Sequence, residues 1–486
     1  MLPPIRDITG SLQRLIHTQE AFLFMLAFVI RIAVFVFLLW WFILTGHMPN
    51  VASAYPVISG DSASYADLSH NLFYHGMYSS SGTFPPVPES FRLPGYPFFL
   101  FLFEILPFPL IFAILVQIAF ASGSVVLLYL LGKRFLSEKT GFIAAILFCI
   151  EPMSVFMSVL IMSDTIFVFA MLLGIYTLFC RTPTSRQALC IGLLAGMIFG
   201  YAVLVRVIAQ YLAVCLLAAY LLVFHKELRP LSSTFLKLGA FMVGIILVMT
   251  PWSVRNYKQF GTPTISSTPY INFTQYNLVY FSAYQQHTSP QAVHHLFSDP
   301  IPYPVDSPWF NSLINEPIFV KEMKDTLRGN LVPYAEFHLI KTIPFFFTDS
   351  FRDINRVTGL LPQDSRSINF SDLLVQKEFG KIIRYFMTPD VNMWLLLTGS
   401  FMWATISLLW IGGLLYAVVK RTQKVWFILF ASCVIAYFAI LSSPVIQPRY
   451  RIPAAPFMLL LAAESAVMLW GYYENKKSRS VPIKLI

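Results

Sequence analysis

About ten apolar runs dominate this chain, at roughly 22–45, 109–132, 141–160, 164–180, 188–205, 207–224, 235–253, 393–419, 425–442 and 453–471. At about 1.5 Å rise per residue, each is long enough as a helix to cross all or most of a hydrocarbon core of about 30 Å. Lipid offers no partner to a bare backbone amide, so spans of this kind are helices. The expected fold is therefore an all-α polytopic membrane protein. Composition agrees: 57% of residues are hydrophobic and 12% charged, about half the charged share of a soluble domain. The run 95–106 lies between Pro94 and Pro107. It is too short to span and reads as an interfacial or re-entrant segment. The first run lacks a small-residue cleavage site and reads as an uncleaved anchor.

The net charge of +10 would suggest nucleic acid in a soluble chain. Here it follows the membrane instead. With the N-terminus inside, every second connection is basic: Lys133, Arg134 and Lys139; Arg181 and Arg186; Lys226, Arg229 and Lys237; Lys420, Arg421 and Lys424; and a tail with Lys476, Lys477, Arg479 and Lys484. That alternation is the positive-inside pattern and fixes the parity of the spans. Both termini are expected in the cytoplasm, the membrane is read as a bacterial inner membrane, and no nucleic acid partner is expected. The organisation expected is an N-terminal transmembrane module, 1–255, with a first outer loop 46–94, an outer region 256–391, and C-terminal helices 392–486. Within the outer region, Leu331–Phe347 mixes apolar residues with His338 and Lys341 and reads as a helix lying on the membrane surface. Five dispersed cysteines make neither a disulfide framework nor a zinc site. The sequons at Asn272 and Asn369 fall outside, but such triplets are common by chance.

Some charges do not follow the topology. Short outer loops should avoid arginine, yet Arg92, Arg206, Arg255, Arg449 and Arg451 all fall there. Guanidinium groups gathered at one membrane face suit a phosphate, whose oxygens accept the planar fork bidentately. The plainer explanation for any one of them is snorkelling to a headgroup or pairing with a carboxylate. Arg31 lies inside the first run and must face the bundle interior or snorkel. Acidic residues on the same side are Asp61, Glu151 and Asp164. Ser163-Asp164-Thr165 also reads as an ordinary helix N-cap, and Glu151 as a span end. A carboxylate beside such arginines can accept a proton from an acceptor hydroxyl or hold an arginine in place. Paired carboxylates leave Mg²⁺ or Mn²⁺ open, and no metal is required.

Four segments then take on a pattern: Gly60-Asp61-Ser62-Ala63-Ser64-Tyr65 through Gly76-Met77-Tyr78; Arg92-Leu93-Pro94-Gly95-Tyr96-Pro97; Arg255-Asn256-Tyr257 with Ser266-Ser267; and Pro448-Arg449-Tyr450-Arg451-Ile452-Pro453. In this order they resemble the GT-C superfamily of membrane glycosyltransferases, in the bacterial branch related to protein O-mannosyltransferases and the lipid A aminoarabinose transferase. The resemblance implies a polyprenyl-phosphate sugar donor, inverting transfer on the extracytoplasmic face, and a lipid, glycan or protein acceptor. It implies Asp61 and Asp164 as catalytic carboxylates, although many relatives carry Glu at the second position. The resemblance points the last-loop Arg449 and Arg451 at the donor phosphate, and Arg206 and Arg255 join them as candidates from the outer-face set. Arg92 and Arg255 are open to a structural role or to acceptor contact, and Tyr65, Arg92 and Glu151 are the substrate-contact candidates.

Two other classes remain. A lipid-linked glycan flippase would place polar groups at the membrane midplane in related halves, and no half-to-half similarity is visible. An O-antigen ligase or polymerase would share the spans and outer arginines but lack the early Asp loop.

Overall fold

The computed structural model describes residues 18–46, 60–80, 86–223, 231–305, 307–361, 379–387 and 390–479; the sequon at Asn369, together with Lys226, Arg229 and Lys484, lies outside them. Among the described residues the regular structure is entirely helical. The labelled helices are α1 (Gln19–Leu44), α2 (Gly60–His75), α3 (Gly95–Phe101), α4 (Pro109–Phe135), α5 (Glu138–Cys149), α6 (Pro152–Ser158), α7 (Asp164–Leu178), α8 (Ser185–Val205), α9 (Leu212–Val223) and α10 (Leu231–Phe260). After an outer region of short turns come α11 (Glu316–Leu327), α12 (Leu331–Thr342), α13 (Phe351–Thr358), α14 (Val391–Val419), α15 (Val425–Ser442) and α16 (Ala455–Arg479).

Seven of these, α1, α4, α8, α10, α14, α15 and α16, are individually long and apolar enough to cross a membrane. The run 141–160 becomes the pair α5–α6, bent by 59° at a short break. The runs 164–180 and 207–224 become the shorter apolar stretches of α7 and α9. The ten apolar runs thus all appear as helical elements, with three of them short or broken.

Local chemistry explains the ends. The side chains of Thr18, Ser137, Thr184 and Asp390 cap α1, α5, α8 and α14, each satisfying an otherwise orphaned amide. Pro109 and Pro152 open their helices where a missing N–H costs nothing. At the α5–α6 break, Glu151 accepts from the amides of Met153 and Ser154. Arg31 turns inward from α1 and donates to the carbonyls of Ala27 and Cys149. It therefore takes the interior alternative and ties α1 to the broken span, giving its buried charge the acceptors it needs.

The segment 95–106 has two sides: Tyr96, Pro97, Phe99 and Leu100 of helix α3 are buried, while Phe98, Leu102 and Ile105 stay exposed. Tyr201 donates to the Gly95 carbonyl at 3.1 Å. A Cβ on Gly95 would stand 2.6 Å from the Leu204 backbone, so only glycine lets α3 seat against the end of α8. Ser69 fastens α2 over α3 by donating to buried Glu104 at 2.7 Å. The helix expected at 331–347 is α12 followed by a 3₁₀ turn, Ile343–Phe346. Leu331, Val332, Leu339 and Ile343 stay exposed on it, while His338 Nε2 lies 2.9 Å from the Ile440 carbonyl at the end of α15. Thr274 of the first sequon is buried and donates to the Tyr270 carbonyl.

Helices α8 and α10 form the most intimate pair, because small residues let their backbones meet. A Cβ on Gly196 would lie 2.0 Å from the Phe241 carbonyl oxygen. Gly196→Leu is expected to lower stability by about 1–3 kcal/mol or more through overpacking, read as a reduced thermal unfolding midpoint of the purified protein. An unchanged midpoint would mean that the two helices separate freely.

Candidate active site

The site forms where four elements end together. Asp61 stands in the first turn of α2, near a helix N-terminus that favours negative charge. Arg92 immediately precedes the short segment leading into α3. Its backbone is fixed from both sides, since Glu89 accepts from the amides of Phe91 and Arg92, and Tyr78 donates to the Arg92 carbonyl. Arg449 lies in the 3₁₀ turn Pro448–Arg451 between α15 and α16. Asp61 accepts from both arginines: Arg92 Nη2 on Oδ1, and Arg449 Nη2 on Oδ2 at 2.8 Å. All three side chains keep 20–25% of their surface open.

A second pair lies beside the first. Asp164 opens α7 and is fully buried, and its Oδ1 accepts from Arg206 at the C-terminal end of α8. Its Oδ2 has no hydrogen-bond partner among the described residues. Asp164 caps nothing, and the preceding Ser163 makes no capping bond either. Ser163 Oγ instead meets the Tyr65 hydroxyl at 3.2 Å, which links α2 to α7. The charges of Asp61 and Asp164 both act on Arg449, and those of Arg449, Arg206, Asp61 and Asp164 all act on Tyr450. The two pairs therefore make one electrostatic cluster, with Tyr65 packed beneath the Arg92 guanidinium at 5.2 Å.

Three guanidinium groups and two carboxylates leave one net positive charge. Burial pushes the Asp61 carboxyl up, but the charges of Arg92 and Arg449 outweigh it and hold the group at about 2. Asp61 is thus ionised at any physiological pH, and a weak base while both arginines grip it. The donor set suits an anion. Both carboxylates carry guanidinium partners, and no group of three or more His, Cys, Asp or Glu gathers among the described residues.

Three of the expected site residues lie elsewhere. Arg451 is fully buried, donates to the carbonyls of Phe345 and Thr348 at 2.8 and 2.7 Å, and stacks 3.8 Å over Trp403. It locks the last outer turn to the outer region, with both terminal nitrogens engaged by carbonyls. Arg255 donates to the Glu89 carbonyl at 2.6 Å and to Asn256, and stacks on Trp252. It pins the end of the first outer loop to α10. Glu151 is spent on capping α6. The third motif has the same fastening role: Ser266 and Thr268 donate to the Phe91 carbonyl, and Ser267 N to the Ser90 carbonyl.

One contributor escapes the sequence reading. Asp353 on α13 is paired with Arg356 at 2.7 Å and feels the charge of Arg449. Burial pushes its carboxyl up despite Arg356. The only signal was the charged run Asp349-Ser350-Phe351-Arg352-Asp353 directly after an apolar helix.

Against this geometry, residues 93–253 match the family described as dolichyl-phosphate-mannose-protein mannosyltransferase. The crystal structure of an oligosaccharyltransferase from Archaeoglobus fulgidus, in the apo form, superposes with a TM-score of 0.51 at 13% identity. The match covers 96% of this chain and 53% of that one. The chain spans about half the length of that archaeal enzyme. ArnT from Cupriavidus metallidurans, bound to undecaprenyl phosphate, superposes more loosely, with a TM-score of 0.36 at 11% identity over 94% of this chain and 81% of that one. No curated protein sequence matches the chain.

Two outcomes follow from the Asp61 cluster and its lock. Arg449→Gln removes one of the two charges that depress Asp61, so the Asp61 carboxyl should titrate above about 2. The stabilisation it provides is present above its unfolded value and is lost as pH falls through its folded one. In the variant that loss should begin at higher pH, visible in the acid limb of unfolding. Arg451→Met should cost about 3 kcal/mol by stranding two buried carbonyls, measured as a lower unfolding midpoint. No loss would reassign Arg451 from lock to an accessible group.

Proposed function

We propose that this protein is an integral membrane glycosyltransferase that moves a sugar from a polyprenyl-phosphate donor to an acceptor on the extracytoplasmic face, with inversion. The observation that carries the reading is the single electrostatic cluster of Asp61, Arg92, Arg449, Asp164 and Arg206, with one net positive charge at the end of an apolar bundle. A sugar linked to a polyprenyl monophosphate is a phosphodiester with one negative charge, so donor and cluster neutralise each other. The match of residues 93–253 to a family named for dolichyl-phosphate-mannose supports a lipid-phosphate donor.

The chemistry follows from the same charges. An acceptor hydroxyl attacks the anomeric carbon, the bond from that carbon to the phosphate oxygen breaks, and polyprenyl phosphate leaves with a second negative charge developing on it. Arg449, Arg92 and Arg206 stand ready for that charge in a partly dry site, where preorganised donors act most strongly. Asp61 takes the proton from the hydroxyl. Its weakness as a base is tied to the arginines, so a phosphate that draws on Arg449 and Arg92 raises the basicity of Asp61 when the donor arrives. Asp164 positions Arg206. The outer region over the site would contact a lipid, glycan or protein acceptor, and the basic connections would lie in the cytoplasm of an inner-membrane protein.

Proteoliposomes containing the full chain should consume one member of a panel of labelled polyprenyl-phosphate sugars. Asp61→Asn should lower transfer about 10²-fold or more, the usual contribution of a general base. An Asp61→Asn protein that transfers at near-normal rate would remove Asp61 from the reaction. Consumption of no donor by the wild type would remove the reading itself.

A further inference from the structure

A second charged site lies at the other end of the bundle. A cavity of about 480 Å³ is lined by Arg134, Arg181 and Lys424, with Phe135, Trp426 and Phe427. These residues come from the end of α4, the turn after α7 and the start of α15. Helix α15 runs from this cavity to within a few residues of Arg449, and its 18 residues span about 27 Å. The two sites are thus about one hydrocarbon thickness apart.

The cavity has a built floor. The rings of Phe135 and Phe427 stack at 4.5 Å with 7° between their planes, and the Arg134 guanidinium sits 5.3 Å over Phe135. Behind it, buried Lys237 donates to the Cys180 carbonyl at 2.6 Å and lies 5.0 Å over the Tyr220 ring, within the field of Arg134. Lys424 is paired with Glu464 at 2.7 Å, and Glu464 is itself buried and held by Thr140. Arg134 and Lys237 form no ion pair among the described residues. Positive charge therefore exceeds negative charge around a hollow bordered by aromatic rings. Topology asks only that cations stay on this side of the membrane. It does not ask that residues from three separate connections converge on one cavity.

We propose that this cavity is a binding site for a phosphate group on the leaflet opposite the Asp61 cluster. Guanidinium forks match phosphate oxygens, and an indole at the rim suits the interface where lipid headgroups lie. A basic pocket between membrane helices is the ordinary way to hold an anionic headgroup. The phosphate is carried either by a membrane lipid or by a soluble ion, and the chemistry of the cavity is the same for both. The site is independent of the transfer reading and draws on none of its residues.

The test uses the full chain purified in detergent and native mass spectrometry with phosphatidylglycerol and phosphatidylcholine. A parallel series measures thermal stabilisation by inorganic phosphate against chloride. Wild-type protein should retain phosphatidylglycerol about tenfold or more over phosphatidylcholine, given two arginines at a headgroup. The pair Arg134→Gln with Arg181→Gln should lose that preference. Lys420→Gln with Arg421→Gln, exposed residues outside the cavity lining, removes the same charge and should keep it. Arg134→Gln alone serves if the double variant does not fold. Stabilisation by inorganic phosphate without a lipid preference, lost in the cavity variants, would assign the site to a soluble phosphate. Equal retention of both lipids with no phosphate effect, or equal losses in both double variants, would overturn the proposal.

Discussion

One carboxylate, shared between two guanidinium groups that are hundreds of residues apart in sequence, organises this molecule. Asp61 brings together the start of α2, the end of the first outer loop through Arg92, and the turn between the last two spans through Arg449. A charge that is three-quarters covered is held best when it is paired and hydrogen-bonded. The three partners satisfy one another only when both outer connections close over the bundle. The same constraint that shapes this end of the protein therefore also produces its anion-receptive surface.

Much of the remaining structure holds that arrangement still. Arg255 and the Ser266–Thr268 turn seize the backbone of residues 89–91, just before Arg92. Arg451 does the same for Arg449 from the other side, gripping two carbonyls of the outer region while stacked on Trp403. Arginine is suited to this work because its planar fork stays charged and spans several acceptors at once. Within one short turn, Arg449 and Arg451 thus have opposite duties, one open to the site and one buried as an anchor.

The spans were legible because lipid enforces a simple rule, long apolar runs without charge. The outer-face arginines stood out because they break the charge rule for loops. What the sequence could not separate was an arginine that faces the site from one that braces it, since both violate the same topological preference. Arg255 and Arg451 carry motif positions like those of Arg92 and Arg449, and only their carbonyl partners distinguish them. Asp164 was ambiguous for a similar reason: a Ser-Asp pair before a span is ordinary capping chemistry, and Arg206, forty-two residues on, is what takes it out of that role. Asp353 was hidden because its neighbourhood is created by folding the outer region back onto Arg449. The α5–α6 break was also hidden, because Glu151-Pro152 reads equally well as a span end.

The shortness of α7 carries a consequence for the charge at its head. Its 15 residues cover about 22 Å, less than the thickness of an unperturbed hydrocarbon core. Neighbouring helices cover it on nearly every side, so it meets protein where the longer spans meet lipid. A short helix sheathed in this way can begin with an ionised carboxylate, because Asp164 is presented to Arg206 and not to acyl chains.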